Sequence, residues 1–160
     1  MILVVDDEPS WQRSVARLFH GLTLAAPTLG EALDVLAAAP ATIDVVLLDV
    51  DMHEAKSGVD LIPAFRVVAP GVAVVIVTAR LVVADCLRAD RLGCLGYVIK
   101  GDNRRLRTAV ERAINAARAG SVPLPSQELR WAGWCVLFAL RVGEHVREAA
   151  LRSEPQRGLQ

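Results

Sequence analysis

Val45-Val46-Leu47-Leu48-Asp49 is the stretch whose reading decides the fold. Four apolar residues stand in succession, two of them β-branched, with no polar residue alternating between them. That is the composition of a parallel strand covered on both faces, and a carboxylate ends it. Working outward, three further runs of this kind occupy residues 2–5, 72–77 and 97–99, and 22–26 is a weaker fifth candidate. Helical spacing fills the intervals: Trp11, Val15 and Leu18; Leu29, Leu33 and Leu36; Leu61 and Phe65; Val83 and Leu87; Leu106, Val110, Ala113 and Ala117. Pro63 should kink or delay the third helix. Strands alternating with helices predict an α/β fold, a doubly wound five-stranded parallel sheet with right-handed crossovers.

Composition agrees with one well-filled domain and an appendage. Of 160 residues, 53% are hydrophobic and 22% charged, so a sizeable core can be buried. Basic and acidic residues balance at 18 each, which argues against a polyanion-binding surface. Only Lys56 and Lys100 are lysines, so a lysine ending a strand stands out. Cys86, Cys94 and Cys135 lack metal-binding spacing and are expected to be reduced, buried thiols. Residues 2–5 lead straight into Asp6-Asp7-Glu8 without the pattern of a signal peptide, and the apolar run 131–140 is about half a membrane span. The expectation is a soluble, cytoplasmic protein with no membrane span.

Ligands of a doubly wound sheet collect at the carboxyl ends of its strands. Here those ends carry Asp6-Asp7, Asp49, Thr78 and Lys100. Carboxylates converging with a hydroxyl and an ammonium suit a hard divalent cation and a phosphoryl group. Mg²⁺ takes oxygen ligands in octahedral geometry, and the cationic and hydroxyl groups meet the remaining phosphoryl oxygens. Taken singly, each residue has a structural explanation, as a helix start, a turn cap or a solvated strand end. Their order along the chain, each at a strand end, favours a site.

This constellation resembles the response-regulator receiver family of two-component signalling, from Met1 to about Ala119, and so implies a flavodoxin-like receiver fold. The resemblance makes Asp49 the phosphoacceptor. It makes Asp7 a direct Mg²⁺ ligand with Asp6 close by, and the backbone carbonyl of Asp51 a further ligand. Thr78, in Val-Ile-Val-Thr-Ala, becomes the switch hydroxyl, Lys100 the phosphate-binding lysine and Tyr97 the switch aromatic. Asp51 and Arg80 are expected to modulate turnover. The implied partner is a sensor histidine kinase or phosphotransfer protein. The chain would be a phosphoacceptor, not an enzyme in its own right, capable only of self-catalysed phosphoryl transfer and autodephosphorylation.

Three departures from the family pattern stand out. Met52-His53 replaces the usual Met-Pro, and Gly58 lies nine residues beyond Asp49 instead of eight. Lys100-Gly101 replaces the usual Lys-Pro, where a non-proline cis bond would cost about 3–4 kcal/mol. Asp51 adds a carboxylate two residues after the acceptor. That last feature motivates a rival: Asp49-Val50-Asp51 also resembles the nucleophile motif of haloacid-dehalogenase-type phosphatases. Against it, a strand–helix–strand–helix unit precedes the motif, and Asp6-Asp7 would have no role. A truncated DNA-binding regulator is a second rival. Residues 126–160 are few for an output domain, however, and five arginines face four acidic residues there.

The C-terminal part departs in character. A receiver domain over 1–120 is expected to give way to a linker over 121–125, a helix over 126–152 and a frayed tail over 153–160. Trp131, Trp134 and Phe138 would share one face of that helix with Cys135, Val142 and His145. Such a face requires burial, either on the receiver itself or across a homodimer interface, and the dimer is the expectation adopted.

Overall fold

The 45–48 run forms the central strand of the sheet. The computed structural model describes residues 1–52 and 57–123. In chain order these give β1 (Ile2–Val5), α1 (Pro9–Leu18), β2 (Thr23–Ala26), α2 (Leu29–Ala38), β3 (Val45–Leu48), a 3₁₀ turn (Gly58–Leu61), α3 (Ile62–Val68), β4 (Ala73–Thr78), α4 (Val83–Arg91), β5 (Gly96–Ile99) and α5 (Asn103–Arg118). The five strands pair in parallel in the order β2-β1-β3-β4-β5. The order reverses beside β1, so the carboxyl ends of β1 and β3 flank the switch point where such folds bind ligands.

The strands other than β2 send alternate side chains to two cores. Leu3, Val5, Val46, Leu48, Val74 and Ile76 pack under α2 and α3 on one face. Ile2, Val4, Val45, Leu47, Val75 and Val98 pack under α1 and α5 on the other. Burying a side chain of this size contributes about 1.5–3 kcal/mol, which is why the unbroken apolar runs fix the sheet. Helix ends follow local chemistry. Pro9 opens α1, Thr28 accepts from the Glu31 amide at the start of α2, and Asp102 accepts from the Arg105 amide at the start of α5.

Several expectations need correction. The fifth strand candidate is real, but β2 is an edge strand with only Ala26 fully buried and Leu24 exposed, so it is not covered on both faces. Thr78 ends β4, as its place after the apolar run implies, and the strand itself begins at Ala73. Pro63 delays the third helix without kinking it: the 3₁₀ turn comes first, and the proline sits in the first turn of α3, where no amide donor is missed. Val83 and Leu87 face outward at 67% and 57% exposure, and Ala89 is the buried residue of α4. Cys86 and Cys94 are free but only partly buried. Beyond α5, Val122 is buried against the core and Pro123 lies beside Gly93, so the start of the expected linker packs on the domain. No helix among the described residues is long and apolar enough to cross a membrane. The expected 126–152 helix, the aromatic residues Trp131, Trp134 and Phe138, and His53 lie outside the described residues.

Candidate functional site

The ladder carries Asp6, Asp49 and Lys100 just past the ends of their strands and Thr78 as the last residue of its own. The Asp6 amide donates to the Ala26 carbonyl at 3.1 Å, and the Asp49 amide donates to the Val5 carbonyl at 2.9 Å. The two carboxylates therefore leave neighbouring strands at one level. On the other side of β3, Thr78 closes β4 opposite Ile99, and the Lys100 amide donates to the Thr78 carbonyl at 2.8 Å. Carboxylate oxygens of Asp6, Asp7 and Asp49 all lie within 4.8 Å of one another.

Lys100 lies among these acids. Its Nζ is 2.7 Å from Asp6 Oδ2, 2.8 Å from Asp49 Oδ2 and 3.8 Å from Glu8 Oε2. Burial works against its charge, but the hydrogen bonds with Asp49 and Asp6 prevail and hold its pKa above the ordinary lysine value. Asp6 is shifted upward as well. Burial disfavours its charge more than Lys100 and the Glu8 amide favour it. Asp49 is 4% exposed and Thr78 fully buried, so both are held by packing. The Thr78 hydroxyl accepts from the Arg80 amide at 3.3 Å.

The acceptor loop bends back on itself. The Asp51 amide donates to Asp49 Oδ1 at 3.2 Å, and the Gly58 amide donates to the Val50 carbonyl at 3.2 Å. A Cβ added at Gly58 would stand 2.0 Å from the Asp49 carbonyl oxygen, a distance no side chain tolerates. The one-residue shift of this glycine along the sequence is thus absorbed with the glycine still against the acceptor backbone. The Asp51 carboxylate is half-exposed and lies 3.8 Å from Arg80 Nη2 across the mouth of the site. At the other departure, no cis peptide bond occurs among the described residues, and Gly101 turns the chain with φ +96°, a conformation open to glycine.

Tyr97 lies on β5, half-buried against the core cluster under α2 and α3. Its hydroxyl oxygen is buried and has no hydrogen-bond partner among the described residues. Burial, with a smaller contribution from Cys86, pushes the phenol up to about 12. It lines a cavity of roughly 210 Å³ with Cys86, Ala89 and Cys94, between β5 and α4.

Sequence reasoning missed the part played by the first turn of α1. Spacing with Val15 and Leu18 marks Trp11 only as a helix position, whereas the residue is partly buried against the core and its ring centroid lies 5.8 Å from Lys100 Nζ. The Gln12 side-chain amide donates to the Asp6 carbonyl at 2.6 Å. The only available signal was proximity: both lie in the first turn of the helix that follows Asp6-Asp7.

Residues 2–111 match the family model described as the response regulator receiver domain. The chain belongs to the response-regulator receiver family. The receiver is 32% identical over 127 residues to the transcriptional regulatory protein ZraR of Salmonella typhimurium, covering 78% of this chain and 29% of that protein. It thus spans less than a third of the length of the curated relatives it matches. Among solved structures, a response regulator receiver domain protein from Clostridium thermocellum superposes with a TM-score of 0.67 at 28% identity, covering 74% of this chain and 96% of that one. A response regulator protein from Burkholderia pseudomallei, solved with a phosphorylated aspartic acid, calcium ion and citrate, shares the fold with a TM-score of 0.62 at 20% identity, over 74% of this chain and 71% of that one. Nothing in these matches supports the dehalogenase-type phosphatase. The site does not favour it either, since Asp51 turns outward to Arg80.

Proposed function

We propose that this receiver accepts a phosphoryl group on Asp49 from a phosphorylated sensor histidine kinase or phosphotransfer protein. The observation that carries the proposal is the convergence of three carboxylates within 4.8 Å, with Lys100 Nζ 2.8 Å from Asp49 Oδ2. Asp6, Asp7 and Asp49, with the backbone carbonyl of Asp51, would hold Mg²⁺. Three close carboxylates around a single lysine suit a hard divalent cation. When bound, the ion would neutralise charge on the transferred group and on the acids around it.

The chain's own residues account for the remaining chemistry. An Asp49 carboxylate oxygen forms the new O–P bond while the donor's N–P bond breaks, and the leaving imidazole nitrogen takes up a proton. Lys100, already hydrogen-bonded to Asp49, neutralises an equatorial phosphoryl oxygen. Thr78, on the adjacent strand end, offers its hydroxyl to another. Its move toward the phosphoryl group would break its contact with the Arg80 amide and change the packing near Tyr97, which is the switch. Asp51 and Arg80, paired across the mouth, are placed to modulate water access and hence the lifetime of the adduct. The Burkholderia relative, with its phosphorylated aspartic acid, supports this reading. The chain acts as a phosphoacceptor and not as a turnover enzyme. Homodimerisation through residues 126–152 rests on the sequence pattern alone.

Peptide mapping after incubation with Mg²⁺ and a small phosphodonor tests the site. Borohydride reduction should convert Asp49, and no other residue, to homoserine. Label at another aspartate would contradict the assignment, and sustained turnover of phosphate esters would indicate a phosphatase.

A further inference from the structure

We infer that Trp11 is a positioning residue for Lys100, its indole face providing the berth on which the ammonium rests once a divalent cation occupies the carboxylates. The inference rests on the metal-binding reading above. In the structure Lys100 Nζ lies between Asp6 and Asp49, two of the acids that would hold the metal. A cation there competes with Lys100 for the same oxygens, so Lys100 must give up at least Asp6. Asp49 aside, itself one of those acids, the partners that the described residues leave to Lys100 are the exposed Glu8 carboxylate at 3.8 Å and the Trp11 ring at 5.8 Å. The ring distance falls within the range for cation–π attraction, and tryptophan has the most favourable face of the natural side chains. The indole is also suited to the task by its placement. The ring is partly buried against the core under α1 and α5, which fixes it, and Lys100 Nζ lies over it. A charged partner in its place would hold Lys100 too tightly or compete for the metal. A π face attracts the ammonium without doing either.

The test uses the full chain and begins without metal. Lys56 and Lys100 are the only lysines, so their Cε–Hε signals in a lysine-labelled sample are two, assigned by Lys56→Arg. The Lys100 signal should sit upfield through the ring current, and should move downfield in Trp11→Leu but far less in Trp11→Phe. Mg²⁺ affinity should fall about two- to fivefold in Trp11→Leu and recover largely in Trp11→Phe. Stepwise fluorination of the indole at position 11 alone keeps its shape while weakening its π face. It carries the test if the leucine variant does not fold, and affinity should fall with each fluorine. An unmoved Lys100 signal in Trp11→Leu would overturn the contact. Mg²⁺ affinity that stays flat across the fluorinated series would overturn the positioning role. If the unaltered chain binds no Mg²⁺, the metal reading and the berth fall together, whereas the metal-free lysine signal tests the contact by itself.

Discussion

Asp6, Asp49, Thr78 and Lys100 were legible in the sequence because each is the first polar residue after an apolar run, or its last member. In a parallel sheet that position has one spatial meaning. Trp11 and Glu8 were not legible in the same way. Helical spacing tells which residues share a face, but not which edge of that face meets the neighbouring strand ends. Tyr97 was placed by family resemblance, and the structure adds its environment: a half-buried ring and a buried hydroxyl with no hydrogen-bond partner among the described residues. It is the only tyrosine of the chain, so its titration can be read directly in the ultraviolet. With the folded phenol raised to about 12 against an ordinary value near 10, burial of the neutral form contributes stability that is complete below about pH 10. That contribution is lost as pH rises through about 12. Tyrosinate absorbance should therefore stay low at pH 11 and appear at about 12 or on unfolding. A half-titrated native phenol near pH 10 would show that Tyr97 is solvated.

The elements followed the hydrophobic pattern, and the exceptions have physical reasons. An edge strand needs burial on part of one face only, so β2 reads weakly. The apolar spacing of Val83 and Leu87 marks a face of α4 that is turned to solvent, because periodicity cannot say which side of a helix meets the sheet. Loop geometry was the least accessible. The sequence presents Gly58 as one residue late, and only the structure reveals that its Cα abuts the Asp49 carbonyl. Gly58→Ala should destabilise the domain by about 1–3 kcal/mol through overpacking, and should also impair phosphorylation because the clash displaces the acceptor backbone. Gly71→Ala serves as a control: its added Cβ meets nothing within 4 Å, and its effect should stay within about 0.5 kcal/mol. Urea unfolding of the two variants checks this. A Gly58→Ala midpoint equal to that of Gly71→Ala would mean that the loop yields freely.

For the whole molecule, the sheet concentrates negative charge at one end. Asp6, Asp7 and Asp49 share a space of a few ångströms, and Lys100 is the cation that the described residues place between Asp6 and Asp49. Metal that binds only the folded state should stabilise it by about 1.4 kcal/mol at ten times Kd, seen as a midpoint raised by a few degrees in millimolar Mg²⁺. The gain should vanish in Asp7→Asn, whereas a midpoint indifferent to Mg²⁺ in the unaltered chain would count against the metal site.

The central claim is that Asp49 is the acceptor, and intact mass tests it most directly. Incubated with a small phosphodonor, the full chain should gain one phosphoryl group in the presence of Mg²⁺ and none when the metal is chelated. Asp49→Asn should gain none under either condition while keeping its fold by circular dichroism. A folded Asp49→Asn variant that gains the same single phosphoryl mass would contradict the account.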